Sequence, residues 1–123
     1  MPYSHTIKGR TVRICWYGNI TQADLDVFGL EMPQIGRKLG FAPDVLHTFD
    51  GVQDQGLMPI EAFTYSLRRG LEPIPNPIRS AIVADSDKGR ALATVFKELN
   101  RTPNLEMKVF DNESDARSWL ERK

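Results

Sequence analysis

Two hydrophobic periods alternate along the chain, and their boundaries mark out the elements. Residues 78–84 read Ile-Arg-Ser-Ala-Ile-Val-Ala, an apolar stretch closed by Asp85-Ser86-Asp87. A continuous run of this kind predicts a strand covered on both faces, as in a parallel sheet flanked by helices. Leu92, Val95, Phe96 and Leu99 follow at i, i+3, i+4 and i+7, the stripe of an amphipathic helix. Lys88, Arg90, Lys97 and Glu98 are left for water, and Pro103 stops the helix because proline cannot continue the hydrogen-bond ladder. Leu105, Met107 and Val109 then alternate with Glu106 and Lys108, predicting a strand with one wetter face. Asn112 and Asp115 have the spacing of a capping box and open a last helix with Ala116, Trp119 and Leu120 on its apolar face. Strand, helix, strand, helix at this spacing argues for right-handed βαβ crossovers.

The upstream chain extends the pattern. Residues 3–7 and 11–17 are β-rich and separated by Lys8-Gly9-Arg10, which predicts an antiparallel hairpin. Thr21 is an N-cap, with Asp24 in the first turn of a helix carrying Leu25, Phe28, Met32, Ile35 and Leu39. Pro33 falls within that stripe, four residues after Gly29, so one kinked helix or two short ones fit equally; Gly40 ends it. Residues 44–49 form the next strand, followed by a loop over residues 50–58. Pro59 opens a helix with Ile60, Phe63 and Leu67 as its apolar face, ended by Gly70. The proline-rich link 72–77 is stiff and joins one domain rather than separating two, because neither side could build a core alone. The chain is therefore expected to be a single domain over residues 1–123.

Composition narrows the partners. Sixteen basic and sixteen acidic residues balance without long blocks of either sign, which argues against a nucleic-acid partner. No apolar run approaches membrane-spanning length, and the first ten residues lack a signal peptide's hydrophobic centre. The single cysteine, Cys15, lies in an apolar stretch and reads as a buried, inert thiol, consistent with a reducing, cytoplasmic setting.

The element order β-β-α-β-α-β-α-β-α, with IRSAIVADSDKG and ALATVFKEL followed by VFDNESDARSWL, resembles the SpoIIAA-like family of STAS/Sec14-type domains. Trp16 to Leu25 (WYGNITQADL) fits that family's first strand-to-helix turn, and Val45 to Val52 (VLHTFDGV) its central strand. The resemblance spans nearly the whole chain. It implies an α/β fold: a mixed, mostly parallel sheet flanked by helices, with an antiparallel N-terminal edge strand. Anti-sigma-factor antagonists of this kind bind a kinase partner and are switched by phosphorylation of a serine at a helix start after the central strand. Residues 50–59 contain no serine or threonine, which counts against such a switch here. Sec14-type relatives bind lipids in an apolar pocket, for which this length leaves room only for a modest cleft.

Candidate chemistry is sparse. Asp50, Asp85 and Asp111 each fall at the carboxyl end of a predicted strand, the edge where parallel α/β sheets bind ligands. Three carboxylates meeting there could hold Mg²⁺ or Ca²⁺, but aspartate is also simply favoured at strand exits and helix starts, and that reading is preferred. Ser86 at a helix start reads as a cap rather than a phosphate site, since Asp85 and Asp87 would repel an anion. His47, in mid-strand, reads as a hydrogen-bonded structural histidine. Trp16 and Tyr17 are expected to straddle the sheet. The loop over residues 50–58 is longer than most βα connections, and Leu57 and Met58 beside Asp50, Gln53 and Asp54 would suit an adaptable contact surface.

The resulting expectation is a non-catalytic, regulatory module that binds a protein partner or a small apolar or amphipathic ligand. Its candidate contact residues are Asp50, Gln53, Asp54, Leu57, Met58, Asp85 and Ser86, with no catalytic residue, metal or cofactor assigned. A small metal-assisted enzyme using the carboxylates is the alternative, and a homodimer through an exposed sheet edge is compatible with either.

Overall fold

The computed structural model describes residues 3–53, 59–71 and 73–122. Its elements run β1 (Tyr3–Lys8), β2 (Thr11–Asn19), α1 (Gln22–Leu39), β3 (Asp44–Gln53), α2 (Pro59–Gly70), β4 (Ile78–Ala84), α3 (Asp87–Leu99), β5 (Leu105–Phe110) and α4 (Glu113–Glu121). The five strands lie in sequence order, β1-β2-β3-β4-β5. β1 pairs antiparallel with β2 through the hairpin, with Gly9 at φ +61°, and the remaining pairs are parallel.

That order dictates the layers. Each parallel step moves the chain one strand onward in the same direction, and right-handed crossovers then place every connecting helix on one face. α1, α2 and α3 form this front layer, with α2 packed between the other two. α4 follows β5 and takes the other face. It turns back under β3, β4 and β5 and covers the rear.

Local boundary chemistry follows the sequence closely. Thr21 and Asp24 form a reciprocal capping box, Ser86 Oγ accepts the Gly89 N–H at 3.0 Å, and Asn112 Oδ1 accepts the Asp115 N–H at 2.8 Å. α1 is one helix through Pro33, and Gly40 ends it in the left-handed conformation at φ +81°. Gly29, four residues before that proline, is also where α1 meets the Tyr65 ring of α2, at 3.8 Å from the position a Cβ would take.

Alternation sorts the strand residues. Val12, Ile14 and Trp16 of β2, Val45 and Phe49 of β3, and Ile82 and Ala84 of β4 join the front core, with Phe28 of α1 and Phe96 of α3. Leu46 and Ala81 face the rear and pack with Ala116 and Leu120 of α4. Trp16 is buried while Tyr17, on the other face, is half exposed, as the period of two requires. α4 is also held at the rear by Glu113, which accepts from Arg13 of β2 at 2.9 Å and from Arg117 at 2.7 Å. The Arg13 hydrogen bond is the main reason that the Glu113 carboxyl is held below the usual carboxylate range.

Three expectations are corrected. β3 does not stop at Phe49 but continues to Gln53, passing Gly51 at φ +62° and an irregularity in its register with β2 between Tyr17 and Asn19. Val52, only 1% exposed, explains the continuation: it anchors the strand end in the front core beside Ile20. The second correction concerns α2. Ile60, Phe63 and Leu67, expected as its buried face, are 62%, 45% and 56% exposed, and Ala62 is turned inward instead. On α3 the buried face is likewise shifted toward Ala93, leaving Val95 in solvent.

Candidate functional site

At the carboxyl edge of the sheet, where the sequence places its acidic candidates, Asp85 and Ser86 are engaged in hydrogen bonds within the chain. Asp85 accepts the Gly51 N–H through both carboxylate oxygens, each at 3.2 Å, tying the end of β3 to that of β4. Ser86 is spent as the α3 cap. Gly89 lies so close beneath it that a Cβ there would stand 3.6 Å from both Phe49 and Ala84, so the first turn of α3 packs tightly on the ends of β3 and β4. Asp50 is exposed and adds to the field that keeps Arg13 protonated. Gln53 ends β3, while Asp54, Leu57 and Met58 lie outside the described residues.

The three carboxylates do not form a cluster. Arg90 bridges Asp87 and Asp111, at 3.1 Å to each, while Asp85 stays with Gly51. Among the described residues, no group of three or more histidine, cysteine, aspartate and glutamate side chains is gathered to hold a metal ion. Topology gives the reason. Ligand crevices at carboxyl edges open where consecutive connections leave for opposite faces. Here the connections after β2, β3 and β4 all leave for the front; only β4 and β5 diverge, and the Arg90 bridge spans that gap.

The open space lies on the front face. A cavity of about 120 Å³ lies between the sheet and the inner sides of α1, α2 and α3. Its walls are apolar: Phe28 and Met32 from α1, Val45 and Phe49 from β3, Ile82 from β4, Phe96 from α3 and Met107 from β5. Ser66 and Arg69 of α2, Asn100 and Thr102 give it polar lining at the end formed by the starts of β4 and β5. A wider groove of about 420 Å³ adjoins it there, sharing Met32, Arg69, Ile74 and Ile78 and continuing past Gly40 and Pro43.

The cavity follows from the way α2 is turned. Ile60, Phe63 and Leu67 face solvent, while Tyr65, Ser66 and Arg69 border the cavity and Ala62 is turned inward, so α2 sends no large aliphatic side chain into the space beneath. The mouth is fixed by three asparagines. Asn76 bonds both the N–H and the C=O of Ala42 at 2.9 Å, and Asn104, at φ 68°, donates to the Ile74 carbonyl at 2.9 Å. Asn100 donates to the Leu105 carbonyl at 2.9 Å while accepting the Thr102 N–H at 3.1 Å. These are side-chain bonds to otherwise loose backbone groups, the role for which asparagine is favoured in turns.

His47 stands in the wall of this cavity. Trp16 Nε1–H donates to its Nδ1 at 3.0 Å, and Phe28 meets the ring edge-on at a centroid distance of 5.6 Å. Burial lowers its pKa to about 4, so the imidazole is neutral at physiological pH. The protein surrounds it, yet it keeps some accessible surface because it borders the cavity. A structural, hydrogen-bonded histidine was the expectation from sequence, and Trp16 supplies that bond. The position of His47 in a cavity wall was not foreseen; the one hint was a polar ring in the middle of an otherwise apolar strand.

No protein-family model matches the chain, and no curated protein matches it. A solved structure does: an uncharacterised protein of the DUF3478 family from Shewanella loihica PV-4, itself described as having a SpoIIAA-like fold. The two share 17% identity and superpose with a TM-score of 0.54 over 96% of this chain and 91% of the other. The chain has a SpoIIAA-like fold. The five-stranded mixed sheet, antiparallel only at β1, is the arrangement that the sequence resemblance implied. A likeness at this level of identity speaks for the fold and leaves the function to the site. Among the described residues, no helix is long and apolar enough to cross a membrane.

Proposed function

We propose that this SpoIIAA-like domain is a non-catalytic binding module, acting in the cytoplasm, whose ligand is a small apolar or amphipathic molecule held in the front cavity. The apolar cavity beneath α2, polar toward one end, carries the reading. It has the general make-up of a ligand site, mostly hydrophobic lining with a few polar groups that fix orientation. By the measure in which an apolar cavity of about 150 Å³ accepts benzene, a volume near 120 Å³ accommodates a compact group of similar or slightly smaller size. The adjoining groove gives a longer molecule somewhere to extend. The test is a titration of isotope-labelled protein with benzene or xenon. Methyl shifts concentrated on Val45, Ile82 and Met107 are the expected result; no saturable shift at these sites would remove the reading.

One observation favours a second reading, binding of a protein partner. Ile60, Phe63 and Leu67 form an exposed apolar stripe along α2, continued by Leu71. Apolar stripes on helices are frequent contact surfaces. If a second copy were that partner, sedimentation would show concentration-dependent association that Leu67→Glu abolishes. A monomer at every concentration would remove the homodimer form of this reading.

A further inference from the structure

Two polar groups in the cavity wall point to the chemistry of what enters. A neutral imidazole carries one ring proton, and the atom that holds it is set by the hydrogen bond made by the other nitrogen. Trp16 Nε1–H occupies Nδ1 of His47 as a donor, so Nδ1 is the bare, accepting nitrogen and the proton sits on Nε2. Among the described residues, Nε2–H has no hydrogen-bond partner. Ser80, 3% exposed, lines the same cavity from β4. It pairs with Val45 in the register, one diagonal step from His47 on the same face, within reach of a shared guest. No hydrogen bond to its hydroxyl occurs among the described residues either.

The remaining lining contains no carboxylate, and the Asn100 amide is already committed at both ends. The lining thus offers donors in an apolar surround, with the Arg69 guanidinium at its polar end and no negative group to attract a cation. His47 and Ser80 both line the cavity, so a guest that accepts a proton from them gains a hydrogen bond in apolar surroundings.

Resting on the reading of this cavity as a binding site, we propose that its ligand is a molecule without positive charge that has a compact apolar body and a carbonyl-type hydrogen-bond acceptor, received by His47 Nε2–H with the Ser80 hydroxyl as second donor. Trp16 is a positioning residue in this scheme. It touches the ligand through the wall, but its indole N–H acts by selecting the histidine tautomer.

Cyclopentanone and methylenecyclopentane test the idea, being nearly isosteric and differing in the carbonyl oxygen. In calorimetric or NMR titrations at neutral pH, cyclopentanone should lose about tenfold in affinity on His47→Phe, the size of one hydrogen bond. Methylenecyclopentane should lose little or gain. Equal losses for both compounds would overturn the assignment to His47 while leaving the cavity as a binding site. Failure of both to bind the unaltered protein would remove the site itself, and this inference with it. A second readout needs no substitution. Imidazole ¹⁵N shifts of His47 should report the Nε2–H tautomer in the free protein and a change at Nε2 with the ketone alone. An Nδ1–H tautomer, or the same change with the hydrocarbon, would overturn the proposal.

Discussion

The rear of the sheet is covered by a single short helix, yet Leu46, Ala81 and Ala116 are wholly buried there, with Leu120 close behind. The front is covered by three helices and holds the buried aromatic residues Tyr3, Trp16, Phe28, Phe49 and Phe96, yet it retains a cavity. The amount of covering structure does not decide packing; the fit of the facing side chains does. α4 sets Ala116 and Leu120 against Leu46 and Ala81, small against large, and the layers interdigitate. α2 brings Ala62, Tyr65, Ser66 and Arg69 toward a sheet that offers Val45, Ile82 and His47, and these side chains leave a space between them.

That contrast can be broken from either side. Leu46→Ala at the rear should cost about 2–5 kcal/mol by chemical denaturation, the range for truncating a fully buried leucine in a close-packed core. A loss under about 1 kcal/mol would show that α4 is looser than its burial implies.

The next largest effect is a pH dependence confined to the front. The His47 pKa is lowered in the folded state from 6.5 to about 4, so between these values the unfolded chain binds the extra proton more readily. Its neutral form thus contributes full stability above pH 6.5, and stability falls as pH drops toward about 4, where the loss levels off. The slope approaches about 1.4 kcal/mol per pH unit and the total is about 3 kcal/mol. His47→Phe should flatten this component of the stability–pH curve; an unchanged slope would assign it to other groups.

Val45→Ile, which adds a methylene toward the cavity, should change stability by less than about 1 kcal/mol, because the extra group meets space rather than atoms. A cost of about 1–3 kcal/mol, the usual penalty for overpacking, would mean the space is not available to side chains. The smallest effect belongs to α2. Phe63→Ser should lie within about 0.5 kcal/mol of the unaltered protein, as at other surface positions, whereas a buried phenylalanine would cost several times more.

These outcomes bear on what the sequence could disclose. Caps were legible because their chemistry is local: Thr21, Ser86 and Asn112 each bond an N–H within three residues. The sheet's antiparallel edge and its covered fourth strand were legible from alternation and continuity. The orientation of α2 was not, since periodicity identifies an apolar stripe but not the direction in which neighbouring helices turn it. The extension of β3 past Gly51 was not legible either. A positive φ ordinarily marks the end of a strand, but here the chain bends there and Val52 carries the strand back into the core. The cavity had no signature at all, because it arises from a mismatch among elements far apart in sequence. The Trp16–His47 bond, between residues 31 positions apart, was hidden for the same reason.

The strand order has a consequence for how the molecule comes into being. Because each strand lies beside its predecessor in the chain, no pairing must wait for a distant segment, and each new strand closes only a short span. During synthesis the sheet can therefore grow strand by strand in the order of translation, each crossover helix docking as its strand is added. The rear face is the exception. Leu46 and Ala81 stay uncovered until the segment Glu113–Glu121 has emerged, so the docking of α4 is the step that closes the rear of the nascent sheet.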